Sequence, residues 1–192
     1  MSSSTWRLEA FGRIRLAWAE RPPAAIERLH PDERRWLDRA PRTPERRADW
    51  IAGRLGLALL IDAAVLADEE GAPAVVGWAA SIAHDDGWVA VAARPSPGRI
   101  GIDLVPDRLA PSAARALART RASGEAGDPA SSWAAIECAA KMRAVGVAPL
   151  LDRPVHLCRR GDLVRVDGLG RPILVWLRRL PGAVLALADE VS

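Results

Sequence analysis

The chain closes on four short apolar stretches, "PVHLC", "LVRVDG", "PILVWLRRL" and "AVLALA", between residues 154 and 188. Short runs of this kind, rich in β-branched and aliphatic residues, read as strands. A run of strands has to pair into a sheet, and a sheet has to bury one face. The segment before them reads as a helix from Ser131 or Ser132 to about Val145, ended by Gly146. The same order, helix then strands, occurs once before in the chain. The expected fold class is therefore α+β, with two similar lobes, each a helix packed on a small antiparallel sheet. A single domain, 1–192, would divide into approximate lobes 1–106 and 107–192.

In the first half, Pro31 can open a short helix after His30, and Pro41 ends it. A longer helix is expected from Pro44 to about Leu66, with Thr43 as N-cap, because Trp50, Ile51, Leu55, Leu59 and Ala63 recur at three- and four-residue spacing. "EEGAP" reads as a turn, and "WVAVAA" and "RIGIDLV", separated by "RPSPG", read as two strands. Residues 107–130 suggest a short helix and then a Gly/Ser/Pro-rich loop. "DGWVAVAA" and "PGAVLALA" resemble each other as turn-plus-strand, which fits two related lobes.

At 192 residues and 49% hydrophobic content, the chain can bury a sizeable core. A formal charge of +3 and a pI near 9.6 favour an anionic ligand without singling out nucleic acid. Eight Trp, one Phe and no Tyr form no stacking platform. Cys138 and Cys158 make neither a metal-type spacing nor a disulfide framework. The absence of a long apolar run leads to the expectation of a soluble, cytoplasmic monomer that binds neither membrane nor nucleic acid.

Of the 27 Lys and Arg residues, Lys141 is the single lysine. Arginine is a permanently charged planar fork, whereas lysine is a compact charge that can release its proton. Glu137 lies four residues before Lys141 and shares its helix face. Asp103 sits in the apolar strand "IGIDLV", where a carboxylate is costly without a metal or partner. Two carboxylates from different elements suit Mg²⁺, which takes one or two protein carboxylates plus water and substrate phosphates. His84 reads as lying in a turn before a strand. With Arg46, Arg47 and Arg54 of the preceding helix, it forms a candidate phosphate site.

The order of "ERRADWIAGR" (45–54), "GAP" (71–73), "SIAH" (81–84), "GIDLV" (101–105) and "WAAIECAAK" (133–141) resembles the 4'-phosphopantetheinyl transferase superfamily, in its larger, two-lobed, surfactin-synthetase-activating type. The resemblance implies that family's pseudo-dimeric fold. It also implies transfer of the phosphopantetheine arm of coenzyme A to a serine of an acyl or peptidyl carrier protein, with release of 3',5'-ADP. By that resemblance Asp103 and Glu137 would hold Mg²⁺, for which Mn²⁺ can substitute, and Glu137 would help deprotonate the carrier serine. Lys141 would stabilise and protonate the leaving 3',5'-ADP. His84 would contact the 3'-phosphate of coenzyme A, with Arg46, Arg47, Arg54 and Pro73 completing its site.

The chain departs from the family pattern at Val105, where many members carry a third acid, and at Ile136, where a lysine precedes the glutamate. Ala83 replaces a serine, Ala72 a basic residue, and Asp85 stands beside His84. Asp107 offers itself as a substitute metal ligand. These departures keep a second reading open, a coenzyme A or carrier-protein binding module with little or no transferase activity. A basic nucleic-acid binder is a third, whose affinity would fall steeply with salt.

Overall fold

A computed structural model describes residues 5–39, 43–61, 63–68, 71–85, 87–120, 122–125, 127–145, 148–151 and 153–190, with the side chains of Arg39 and Glu125 excepted. The chain forms two compact units, Met1–Gly98 and Arg99–Ser192. The boundary therefore falls ahead of the "RIGIDLV" strand, which belongs to the second unit.

The first unit begins with a hairpin, β1 (Arg7–Phe11) and β2 (Ile14–Glu20), which the sequence reading left unassigned. β1 is mostly exposed and carries little apolar signal, while β2 is buried on both faces, so neither shows the usual alternation. Helices α1 (Pro31–Arg39) and α2 (Pro44–Leu60) follow. The Thr43 hydroxyl caps α2 by accepting from the Arg46 amide at 3.4 Å, and Pro44 fills the first helical position. α2 stops at Leu60, short of the expected Leu66, because Ile61 turns extended at φ −132°. Ile61 and Val65 remain buried in the same core, so their apolar spacing reports packing and not helix.

Next come β3 (Leu66–Ala67) and β4 (Pro73–Ala74), a two-stranded pair, then β5 (Trp78–Asp85) and β6 (Trp88–Pro95). The main sheet of this unit has the antiparallel order β1-β2-β6-β5. α2 packs across β6, β2 and β5, enclosing Ala17, Leu57, Leu60, Val89 and Val91. A second cluster joins α1 to α2 through Leu37, Trp50, Ile51 and Leu55, with Trp36 stacked on Trp50 at 5.1 Å.

The second unit runs β7 (Ile100–Pro106), α3 (Pro111–Arg119), β8 (Ser123–Glu125), α4 (Pro129–Met142), β9 (His156–Arg160), β10 (Leu163–Asp167), β11 (Ile173–Leu180) and β12 (Ala183–Asp189). Its sheet has the order β7-β12-β11-β10-β9-β8, antiparallel except for the β8–β9 edge. The expected loop after α3 thus contains a three-residue edge strand. α4 starts at Pro129, a little earlier than expected, because Asp128 is its N-cap and accepts from the Ser131 amide at 3.0 Å. It ends at Met142, and the expected stop at Gly146 lies outside the described residues. α4 covers β7, β12 and β11 over a core that includes Val105, Ala135, Ile136, Val175 and Ala186.

The resembling segments "DGWVAVAA" and "PGAVLALA" occupy corresponding places. β6 lies between β2 and its hairpin partner β5, and β12 lies between β7 and its hairpin partner β11. Gly87 and Gly182 supply the positive φ, near +80° in both, that each hairpin turn requires. No helix among the described residues is long and apolar enough to cross a membrane.

Candidate active site

Alternation along β7 sends Gly101, Asp103 and Val105 to one face. That face receives α4: a Cβ at position 101 would lie 2.3 Å from the Cys138 carbonyl oxygen and 2.8 Å from the Met142 amide. Only glycine permits this approach. The Cys138 thiol donates to the Gly101 carbonyl at 3.3 Å, which fixes the register of helix on strand. Two residues along the same face, Asp103 meets the next features of that helix turn.

Lys141 Nζ donates to Asp103 Oδ1 at 2.6 Å. The two partners are differently exposed, the Asp103 side chain at 5% and that of Lys141 at 38%. Asp103 Oδ2 is buried without a hydrogen-bond partner among the described residues. Burial pushes the Asp103 carboxyl above the usual aspartate range, against the opposing pull of the Lys141 charge and hydrogen bond, a contact to Glu137, and the Leu104 amide. On Lys141, burial favours the neutral amine, but the Asp103 charge and hydrogen bond outweigh it, with Glu137 and Cys138 adding, and the pKa rises. For Asp103, burial thus outweighs the charge of the lysine beside it.

That orphaned oxygen and the neighbouring Glu137 fit a hard cation with an incomplete protein shell, in which water and substrate oxygens supply the remaining ligands. The described residues contain no group of three His, Cys, Asp or Glu side chains placed to hold a metal. Val105, on the same face of β7, is 2% exposed and packs into the α4 core, and its side chain offers no metal ligand. Ile136 is likewise fully enclosed in that core. Asp107 is no substitute, because Arg179 bridges it to Asp128 beyond the end of β7. Burial and the nearby Asp103 push the Cys138 thiol well up, which keeps it protonated and unsuited to nucleophilic work.

In the first unit the structure separates the three arginines by role. Arg46 is exposed on the first turn of α2. Arg47 reaches α1, donating to the Leu37 carbonyl and pairing with Asp38, both at 3.2 Å. Arg54 is 1% exposed and donates to the carbonyls of Gly71 at 2.6 Å and Leu66 at 3.1 Å. Its guanidinium lies over Trp50 and sits 3.6 Å from the buried Glu33. The expectation that Arg54 touches phosphate gives way to a structural role: it pins the β3–β4 connection that carries Gly71, Ala72 and Pro73. Gly71 has φ +84°, and a Cβ there would meet the Trp36 ring at 2.2 Å, so glycine is obligatory.

His84 lies within β5, opposite Val89, and not in a turn. It is half exposed, with Nδ1 3.5 Å from an Asp49 carboxylate oxygen. Alternation in a strand directs Asp85 to the opposite face from His84. Ala83 is buried, and Pro73 is partly buried in β4.

Sequence reasoning missed Glu33, Asp49 and the role of Gly101. Glu33 had a readable signal, since it stands three residues after His30 and accepts from the His30 amide at 3.2 Å, half of a capping box. Asp49 had none. The chain matches no protein-family model and no curated protein.

Proposed function

We propose that the chain is a cytoplasmic, Mg²⁺-dependent 4'-phosphopantetheinyl transferase that moves the phosphopantetheine arm of coenzyme A to a serine of an acyl or peptidyl carrier protein. The observation that carries the proposal is the meeting of Asp103, Glu137 and the only lysine, Lys141, where α4 touches β7. The matching placement of β6 and β12 supports reading the units as the two similar lobes of that fold, each a helix on a small antiparallel sheet.

Asp103 and Glu137 would hold the Mg²⁺, which when bound supplies positive charge for the diphosphate of coenzyme A. Glu137, partly exposed, is the base that takes the proton of the carrier serine hydroxyl. Lys141 Nζ holds its proton firmly while paired with Asp103. Once the Asp103 charge is engaged elsewhere, the main influence that raises the Lys141 pKa is lost and burial is opposed only by Glu137 and Cys138, which eases proton donation to the departing 3',5'-ADP. Arg46, Arg47, His84 and Pro73 are proposed contacts for coenzyme A, Pro73 lying on the β3–β4 hairpin that Arg54 secures.

The test is incubation with coenzyme A, Mg²⁺ and a broad panel of apo carrier proteins, read by intact mass. At least one carrier should gain the phosphopantetheine mass, and chelation should prevent it. If no carrier gains mass while a known transferase modifies the same panel, the binding-module reading replaces this one. The direct Lys141–Asp103 contact, which engages one oxygen of a proposed metal ligand, is the observation that favours that alternative.

A further inference from the structure

The strand β1 ends the main sheet of the first unit, with β2 on one side and no described strand on the other. A sheet edge presents backbone N–H and C=O groups that template another strand. The hairpin turn shows which residues carry them. Gly12 and Arg13 form a two-residue turn between Phe11 and Ile14, and Gly12 has φ +58°. A two-residue hairpin turn closes on a pair that exchanges both backbone hydrogen bonds. Alternation back along β1 then turns the backbone of Glu9 and Arg7 towards β2, and that of Ala10 and Leu8 outward. Trp6 continues the outward set.

The side chains divide in the same way. Leu8 lies opposite Ala17 and so shares the face that α2 covers. Trp6 packs into that core, over Gly56, whereas Leu8 beside it is 59% exposed. Arg7 and Glu9 lie on the other face, Arg7 exposed and Glu9 partly so.

Edge strands commonly carry charges that discourage pairing. In β1 the two charges are opposite in sign and two residues apart, which makes the strand complementary to itself. Two antiparallel copies related by a two-fold axis at Leu8 set Arg7 of each opposite Glu9 of the other. Leu8 then meets Leu8, and Trp6 meets Ala10, so every outward-facing backbone finds another. An axis at Glu9 also matches the backbone, but it sets Glu9 against Glu9 and leaves Arg7 opposite Phe11. Charge therefore selects the register centred on Leu8.

We infer that β1 is a docking edge for a second copy of this chain, which joins the two four-stranded sheets into one continuous sheet. Such a dimer departs from the monomer expected from the sequence and does not depend on the transferase reading. The paired strands are short, so the interface falls below the roughly 1,200 Å² of stable complexes, and the association is weak and reversible.

The test is sedimentation equilibrium of the full chain from about 5 to 500 µM, which should show monomer and dimer in exchange. Arg7→Glu alone and Glu9→Arg alone each set like charges across the axis and should weaken self-association about tenfold or more. An equimolar mixture of these two variants restores both opposite-charge pairs and should associate as the parent does. Ala10→Pro removes an outward amide that β2 does not use, and should give a monomer with a parent-like melting curve. Should Ala10→Pro fail to fold, the two charge variants and their mixture still decide. A parent that stays monomeric to the highest concentration overturns the inference. So does self-association that the single charge variants leave unchanged, or a mixture that associates no better than either variant alone.

Discussion

Each unit sets a helix cation against an acid from another element, and the two pairs differ in nearly every physical respect. In the first, Arg54 and Glu33 are both enclosed, 3.6 Å apart, with the guanidinium also held by two carbonyls and the Trp50 ring. In the second, Lys141 and Asp103 are in close contact at 2.6 Å, with the acid buried, one of its oxygens unpartnered and the amine more than a third exposed. Among the described residues each pair leaves a buried carboxylate oxygen without a hydrogen bond, Glu33 Oε1 in the first and Asp103 Oδ2 in the second, so exposure is what separates them. A pair enclosed on both sides fixes a fold, whereas one open to solvent on its lysine side can exchange partners, which is what a reacting site needs. Reciprocal substitutions separate the two roles.

The largest effect is expected at the enclosed pair. Arg54→Ala leaves Glu33 buried without its counter-charge, removes the guanidinium donor of the Leu66 carbonyl and leaves the Gly71 carbonyl only the Trp50 indole at 3.4 Å, and should destabilise the protein by about 3–5 kcal/mol. Arg54→Lys should recover only part of this, because an ammonium lacks the fork that spans two carbonyls and the plane that lies on Trp50. Chemical denaturation measures both. Loss of less than about 1 kcal/mol in Arg54→Ala would show that the pair does not hold the fold.

The reverse swap should act on turnover and leave the fold alone. Lys141→Arg keeps the charge but replaces a proton donor with a group that does not release its proton, and should cost on the order of 10²-fold in turnover. Stability should change little, since the side chain is partly solvated. Steady-state rates at saturating carrier, beside a melting curve, make the comparison. Parent-like turnover in a folded Lys141→Arg protein would return the lysine to the status of an ordinary surface pair.

How much of this was legible in the sequence follows from what each residue's neighbours reveal. The residues of the second site could be singled out because three signals converged: one lysine in an arginine background, a glutamate four residues before it, and an acid inside an apolar strand; the direct Lys141–Asp103 contact was not read, since the sequence set Lys141 beside Glu137. Arg54 was misread because charge type does not show burial. Its position did: four residues after Trp50 and three after Ile51, it lies on the apolar side of α2. The four tail strands were legible because each is a short run dominated by apolar and β-branched residues and bounded by its own turn. β1–β2 and β5 were not, since one strand is exposed and the others are alanine-rich or carry His84 and Asp85, residues more typical of turns. The close approach at Gly101 depends on a contact with α4 far along the chain, which no local pattern encodes.

A smaller effect should appear in metal binding. Lys141 Nζ donates to Asp103 Oδ1, so it competes with any cation for that carboxylate. Lys141→Met should bind Mg²⁺ several-fold more tightly and show a larger Mg²⁺-induced rise in melting temperature than the parent. Calorimetric titration without coenzyme A checks this. Unchanged or weaker Mg²⁺ affinity would mean that the lysine and the metal do not share Asp103.

The smallest expected effect is a pH dependence at the enclosed pair, where its sign is the informative part. Burial pushes the Glu33 pKa up, and the Arg54 charge and the His30 amide pull it back without cancelling the rise. The folded protein therefore binds the Glu33 proton more readily than the unfolded chain does. Stability from this group is fully present below the unfolded value, near 4.5, and is lost as pH rises through the higher folded value. Glu33→Gln removes the titration and keeps an oxygen for the His30 amide. The stability difference between parent and variant should thus shift in favour of the variant as pH rises from 4 through the folded pKa, by at most about 1.4 kcal/mol per pH unit for one proton. Urea unfolding at a series of pH values measures the difference. A difference that moves towards the parent over that interval would mean that the Arg54 charge outweighs burial, and that the first pair is held by its ionic attraction after all.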